Sequence, residues 1–304
     1  MCYTRRDLGK MALAAGTAGR LMAAKPNSVF GGVHIGVITY SFRALPGSAE
    51  QTLQYVVECG LDGIELMAPV AESYAGAPAQ GGRGAGSGRG QTPPELKQWR
   101  LGVSMEKYKA FRRMYEDAGV RIYAFKLPPT MAMTDQEYEY IWNVGETLGA
   151  NHITMELPAE DALLQRVAAF AAERKLRIAF HTHGQGGSSG FEKALSASPW
   201  TALNLDVGHY YGVNGESPIP VILKYHDRIA SLHLKDRKGP RNGVAGPNMP
   251  WGQGETPLKE ILQLMKKQKY QFPASIEYEY DTPAGSDVLT EVKKCVRFSK
   301  DALA

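Results

Sequence analysis

Short β-branched or apolar runs alternate with longer stretches of helical spacing eight times along this chain, and that alternation restricts the fold more than any other feature. The runs fall at residues 34–42, 63–67, 121–127, 152–157, 177–183, 202–206, 229–235 and 274–280. Helical stretches lie near 48–59, 105–119, 134–149, 159–175, 190–197, 216–226, 257–269 and 285–303. Such alternation implies a parallel sheet covered by helices. Eight repeats, with no Gly-x-Gly-x-x-Gly at the first turn, favour a single-domain α/β fold of the (β/α)8 TIM-barrel kind over an open dinucleotide-binding sheet. Local signals agree. Thr134 and Glu137 form a capping box, and Gly119 and Gly149 are helix stops.

One stretch interrupts the pattern. Residues 74–94 are rich in Gly, Ser, Ala and Pro, a composition that buries too little apolar surface to order itself, so a flexible insertion is expected there. The N-terminus also departs from the barrel pattern. Arg5 and Arg6 precede a weakly apolar stretch of small residues, so residues 1–24 read as a signal peptide of twin-arginine type, with the barrel in 25–304 and an exported, periplasmic location. That apolar run is too short to span a membrane. Residues 1–24 carry Arg5, Arg6, Lys10 and Arg20 against Asp7, most of the chain's net charge of +4. The remainder is nearly neutral, which gives no case for a nucleic-acid partner. Cys2, Cys59 and Cys295 are far apart and lack a CxxC spacing, so neither a disulfide framework nor a zinc-thiolate site is expected.

The histidines locate the chemistry. Four of the seven, His181, His183, His209 and His233, sit at or just after strand ends, the rim on which a barrel of this kind builds its active site. Alternation puts His181 and His183 on one side of the fifth strand, and Glu277 and Glu279 on one side of the eighth. Asp206 ends the sixth strand, Lys235 and Asp236 end the seventh, and Glu156 ends the fourth. Adjacent strands thus offer carboxylates and imidazoles without a thiolate. That donor set suits one divalent ion (Mn, Co, Mg or Zn) with open positions for substrate oxygens. The candidate ligands are Glu156, His181, Asp206, His233 and Glu277. Tyr40, Glu65, Lys126 and Trp251 lie on the same rim or its loops, and Trp251 is a candidate for stacking on a sugar face.

His181-Thr-His183-Gly, Asp206-Val-Gly-His209, His233-Leu-Lys-Asp236 and Ile276-Glu277-Tyr-Glu, in this order, resemble the xylose isomerase-like TIM-barrel superfamily, the sugar phosphate isomerase/epimerase group. The resemblance covers residues 34–303 and implies one divalent metal held by Glu, Asp, His and Glu from strands five to eight. Asp206, His233 and Glu277 match the last three. Strand five carries His181 where many members have Glu, so either His181 fills that place or Glu156 reaches in from strand four. The resemblance implies an enzyme acting on a small sugar or glycoside. Proton transfer next to a carbonyl would make it an isomerase or epimerase; expulsion of a β-oxygen from a 3-keto-glycoside would make it a lyase. Glu156, His183, Glu277 and Lys235 are the expected catalytic groups, with His209, Lys126, Trp251, Tyr40 and Asp236 around the substrate. Two rivals share the fold: a metal-dependent abasic-site endonuclease, disfavoured by the charge, and a non-catalytic periplasmic sugar-binding barrel. A homo-oligomer is open.

Overall fold

The computed structural model describes residues 25–79, 92–183 and 188–304. Eight parallel strands form a closed barrel: β1 (Val33–Ile38), β2 (Gly63–Met67), β3 (Arg121–Lys126), β4 (His152–Glu156), β5 (Arg177–His181), β6 (Thr201–Asp206), β7 (Ile229–Leu234) and β8 (Ala274–Ile276). Each pairs with the next, and Ile276 beside Val37 joins β8 to β1 and closes the ring. A ring has no exposed edge, and its strands are covered on both faces. That is why they read as near-continuous apolar runs; every residue of β6 is buried.

Around the barrel run α1 (Ala49–Glu58), α2 (Ala68–Ala75), α3 (Pro94–Gly102), α4 (Met105–Asp117), α5 (Asp135–Leu148), α6 (Asp161–Arg174), α7 (Ser188–Ser196), α8 (Val207–Asn214), α9 (Ile219–Tyr225), α10 (Leu258–Gln268) and α11 (Val288–Leu303). The Thr134–Glu137 capping box forms as expected, and Gly149 ends α5 at φ 76°. None of the helices is long and apolar enough to cross a membrane among the described residues.

Several boundaries differ from expectation, each for a local reason. The first strand stops at Ile38, and residues 39–42 coil into a 3-10 turn. The eighth stops at Ile276: Glu277 N–H still donates to the Leu234 carbonyl of β7 at 3.0 Å, but Tyr278 N–H leaves the ladder for Ser41 Oγ at 3.0 Å. The stretch 74–94 is not wholly an insertion. Tyr74 closes α2 and packs edge-on against Phe111, and Pro94 opens α3. A buried ion pair ties these two helices together: Arg100 Nε lies 2.7 Å from Glu72 Oε1, and Tyr140 donates to the same oxygen at 2.9 Å. The composition of the stretch hid both helix ends. Residues 80–91 and the leader 1–24 lie outside the described residues.

Candidate metal centre

Asp206 ends β6 and caps α8 at once. Its Oδ1 accepts from the His209 backbone N–H at 2.6 Å, which orients the helix start and leaves Oδ2 facing the barrel axis. That Oδ2 is fully buried without an aligned hydrogen bond, with the Lys235 ammonium 3.1 Å away. His181 at the end of β5, His233 on β7 and Glu277 just past β8 are buried beside it. One ligand atom from each of these four residues lies within 4.8 Å of the others. Two nitrogens and two oxygens at that spacing suit a divalent ion, and the unsatisfied Asp206 oxygen marks where a cation is wanted. The residues present therefore fit such a group.

The electrostatics point the same way. Burial and the neighbouring Glu277 push the Asp206 carboxyl up, against the pull of Lys235. Burial penalises Glu277 too, but Lys235 and His233 outweigh it and hold that carboxyl well below the usual range. Burial opposes charge on His233, yet Glu65 and Glu277 raise it to about 10. Its Nδ1 is 2.7 Å from Glu277 Oε2 and its Nε2 is 2.7 Å from Glu65 Oε2. Lys235 Nζ sits 3.1, 3.0 and 2.6 Å from Asp206, Glu277 and Glu279, so a cation already bridges two of the four donors.

A second trio, His181, His183 and His209, is equally compact. Its chemistry suits a metal less well. Arg237 Nη1 donates to His209 Nδ1, and an arginine can only donate, so His209 carries its own proton on Nε2. Burial and then Lys235 lower His209 to about 2, so the ring stays neutral. Its Nε2–H has no hydrogen-bond partner among the described residues and lies about 4 Å from Asp206 and Glu279 oxygens. It is built to donate.

Glu156 lies outside the four-donor group. Its Oε1 accepts from Lys126 at 3.0 Å and its Oε2 is 2.9 Å from His183 Nδ1. Burial opposes its charge, but His183 and Lys126 lower it below the usual range. Glu156, Lys126, His183 and Tyr40 border a cavity of about 320 Å³ that also reaches His181, Glu277 and Glu279. The cavity wall thus holds six of the expected site residues, while Asp206, His233, Lys235 and His209 stand around the four-donor group.

Two reach neither the cavity nor the donor group. Trp251 packs edge-on against Phe298 of α11, ring centroids 5.6 Å apart, and does not line the cavity. Asp236 turns away into the loop after β7. It accepts the backbone N–H groups of Gly252, Gly254 and Thr256 at 2.8, 2.9 and 3.2 Å and so holds that loop rather than substrate. A Cβ on Gly254 would come within 2.0 Å of Asp236 Oδ1, so only glycine fits the cradle. Sequence reasoning missed Asn204 and Arg237, and it counted Glu65 only among the residues that shape the pocket. The signal for Asn204 was a polar residue two positions before a ligand, hence on the same side of its strand.

The fold is a single TIM-barrel domain of the xylose isomerase-like type, and a family profile of that description matches residues 162–300. An inosose dehydratase from Clostridium botulinum is 27% identical over 139 residues, which is 39% of this chain and 45% of that protein. The chain spans about half the length of the curated relatives it matches. In fold it is similar to the probable 3-DHS dehydratase AsbF from Bacillus anthracis (TM-score 0.62, 16% identity, 87% of this chain and 97% of the other). It is also similar to a sugar phosphate isomerase/epimerase from Parabacteroides distasonis (TM-score 0.60, 16% identity, 95% and 99%).

Proposed function

We propose that this chain is a divalent-metal-dependent sugar-modifying enzyme that moves a proton on a carbon next to a carbonyl, as a sugar isomerase or epimerase does. The observation that carries the reading is a single cavity of about 320 Å³, bordered on one side by donors of the four-residue group and on another by the Glu156–His183 pair. His181, Asp206, His233 and Glu277 would hold the divalent ion, which when bound would supply positive charge to stabilise an oxyanion next to the reacting carbon.

The chain's own groups do the rest. Glu156, ionised at neutral pH under the influence of His183 and Lys126, takes the C–H proton. His183, 2.9 Å from it, passes the proton on. Lys235 and the neutral His209 Nε2–H donate to substrate oxygens. Tyr40 and Met67 form the cavity wall. Returned to the opposite face, the proton gives an epimer; returned to the adjacent carbon, an isomer.

A second reading is favoured by the names of the curated relatives, which are inosose dehydratases. After the same proton abstraction, loss of a β-oxygen gives a lyase, whether the leaving group is water or the aglycone of a 3-keto-glycoside. Incubation in D2O with keto-sugars, inososes and 3-keto-glycosides, with and without Mn²⁺, Co²⁺, Zn²⁺ or Mg²⁺, tests both readings by NMR. Metal-dependent deuterium at the carbon next to the carbonyl supports the shared step, and an enone absorbance selects the lyase. No exchange and no product with any ion would sink the proposal. The Arg5-Arg6 leader supports an exported enzyme, which fractionation of the native host checks: a cytoplasmic full-length chain rejects it.

A further inference from the structure

Below the four donors the barrel interior is polar. Thr154, Asn204, Ser231 and Ser275, each two residues before a rim group, line it, and Glu65 from β2 is buried among them. Glu65 Oε1 accepts from Thr154 Oγ1 at 2.7 Å. Its Oε2 accepts from His233 Nε2 at 2.7 Å and from Asn204 Nδ2 at 3.1 Å. Asn204 Nδ2 also donates to Ser231 Oγ at 2.6 Å, and its Oδ1 faces His181 Nδ1 at 3.0 Å.

These contacts leave one consistent arrangement of protons. An ionised carboxylate only accepts, so Asn204 must turn its NH2 to Glu65 and its oxygen to His181. An amide oxygen only accepts, so His181 carries a proton on Nδ1. Its Nε2 lone pair is then the acceptor toward His183 Nε2 at 3.3 Å and lies 3.9 Å from Asp206 Oδ2, so an ion at the centre takes the place of the His183 contact. His233 likewise donates from Nε2 to Glu65 and turns Nδ1 toward Glu277. One carboxylate on β2 therefore sets the ring orientation of imidazoles on β5 and β7.

Resting on the metal reading above, we propose that Glu65 is a positioning residue that presents both imidazoles as nitrogen donors, His233 directly and His181 through Asn204, and that the centre in consequence takes Zn²⁺ or Co²⁺ in preference to Mg²⁺. A pair of pre-oriented imidazoles suits a borderline transition-series cation. Mg²⁺ demands oxygen ligands and gives up water reluctantly. Outer partners of ligating histidines typically affect metal affinity about 10–100-fold.

The test uses the full chain stripped of metal, titrated with Co²⁺ and with Mg²⁺ by calorimetry and followed by the visible Co²⁺ spectrum. Co²⁺ is expected to bind at least about 100-fold tighter than Mg²⁺, with Glu65→Gln loosening Co²⁺ about 10–100-fold. Asn204→Leu, of similar size, removes the His181 acceptor together with the NH2 donor to Glu65 and Ser231 but leaves the His233–Glu65 contact, and it serves if Glu65→Gln does not fold; it is expected to weaken Co²⁺ binding and alter the spectrum. In metal-free protein labelled with ¹⁵N-histidine, His181 is expected as the Nδ1–H tautomer, and Asn204→Leu is expected to abolish that preference. Failure of the native chain to bind either ion removes the metal reading and this inference with it. Co²⁺ binding undiminished in folded Glu65→Gln and Asn204→Leu overturns the positioning role alone. Equal affinity for Mg²⁺ and Co²⁺ overturns the selectivity.

Discussion

Gly208 sits in the first turn of α8, pressed against the end of β7. A Cβ there would lie 2.3 Å from Lys235 Cγ, 2.4 Å from the Lys235 carbonyl oxygen and 3.0 Å from its carbonyl carbon. A side-chain atom alone could rotate aside. The carbonyl cannot move without shifting the segment that carries His233 and Lys235. Forcing an extra methyl into packed structure costs about 1–3 kcal/mol, and a backbone clash belongs at the upper end, about 3 kcal/mol. Alanine in place of glycine inside a helix returns about 1 kcal/mol. The net loss for Gly208→Ala is then about 2 kcal/mol. With an unfolding entropy of about 2.1 cal/mol/K per residue, a chain of this length should melt about 3 °C lower. Gly102→Ala is the control, because a Cβ there meets nothing within 4 Å. Scanning calorimetry of both variants decides the matter. If Gly208→Ala melts with or above the native chain, the end of β7 yields easily and the contact with Gly208 does not hold His233 and Lys235 in place.

Other expectations are as definite. Arg100→Met should destabilise the fold by about 3–5 kcal/mol in urea titrations, because it leaves the buried Glu72 carboxylate without its guanidinium; Glu72→Met/Arg100→Met should recover most of that loss. Glu156→Gln should slow carbon–hydrogen exchange at least about 100-fold while leaving bound metal unchanged by elemental analysis, since Glu156 is not one of the four donors. His152 is buried against Ser231, and burial lowers it to about 4. The unfolded chain takes this proton near pH 6.5, before the folded one can. Its share of stability is therefore complete above that pH and declines as pH falls toward 4, by up to about 3 kcal/mol. Urea titrations from pH 7 to pH 4.5 should show a shallower decline in His152→Leu than in the native chain; equal slopes would reject it. Chelation should lower the melting temperature, and Co²⁺ at about 100 times its dissociation constant should restore about 2.7 kcal/mol.

The barrel was legible because its strands are covered on both faces, so eight apolar runs stood out from amphipathic helices. The rim was legible because His181, Asp206, His233 and Glu277 close those runs, and strand alternation assigns their side. Alternation failed where the chain leaves the ladder. It continued strand one through Phe42, although the chain coils into a 3-10 turn after Ile38. It put Asp236 beside the substrate, but Asp236 is gripped by three backbone N–H groups of a loop whose course no periodicity encodes. Trp251 failed for the same reason: an aromatic in a long loop packs wherever the loop leads, here onto Phe298. The choice between His181 and Glu156 was a matter of reach across β4 and β5, which needs coordinates. Glu65 was in view from the start. Its partners were not, because Thr154, Asn204 and Ser231 look like ordinary polar substitutions until the barrel closes and points them at one another.

That closure also explains why so polar an interior is tolerated. Glu65, Glu156, Asp206, Glu277 and Glu279 meet Lys126, Lys235, Arg237 and the His233 imidazolium, so five carboxylates face four cations. One negative charge remains uncompensated there. Buried charges persist only when paired and hydrogen-bonded. Here the strain concentrates on Asp206, whose carboxyl is pushed up by burial and by Glu277 and whose Oδ2 lacks an aligned hydrogen bond. A monovalent cation would merely replace the His233 proton and leave the imbalance as it was. A divalent ion that displaces that proton cancels the excess, and a neutral ketone or polyol entering the cavity does not disturb the balance. The donor count, the charge excess and the unsatisfied Asp206 oxygen thus call for the same species, a cation of charge two or more at the junction of β5 to β8.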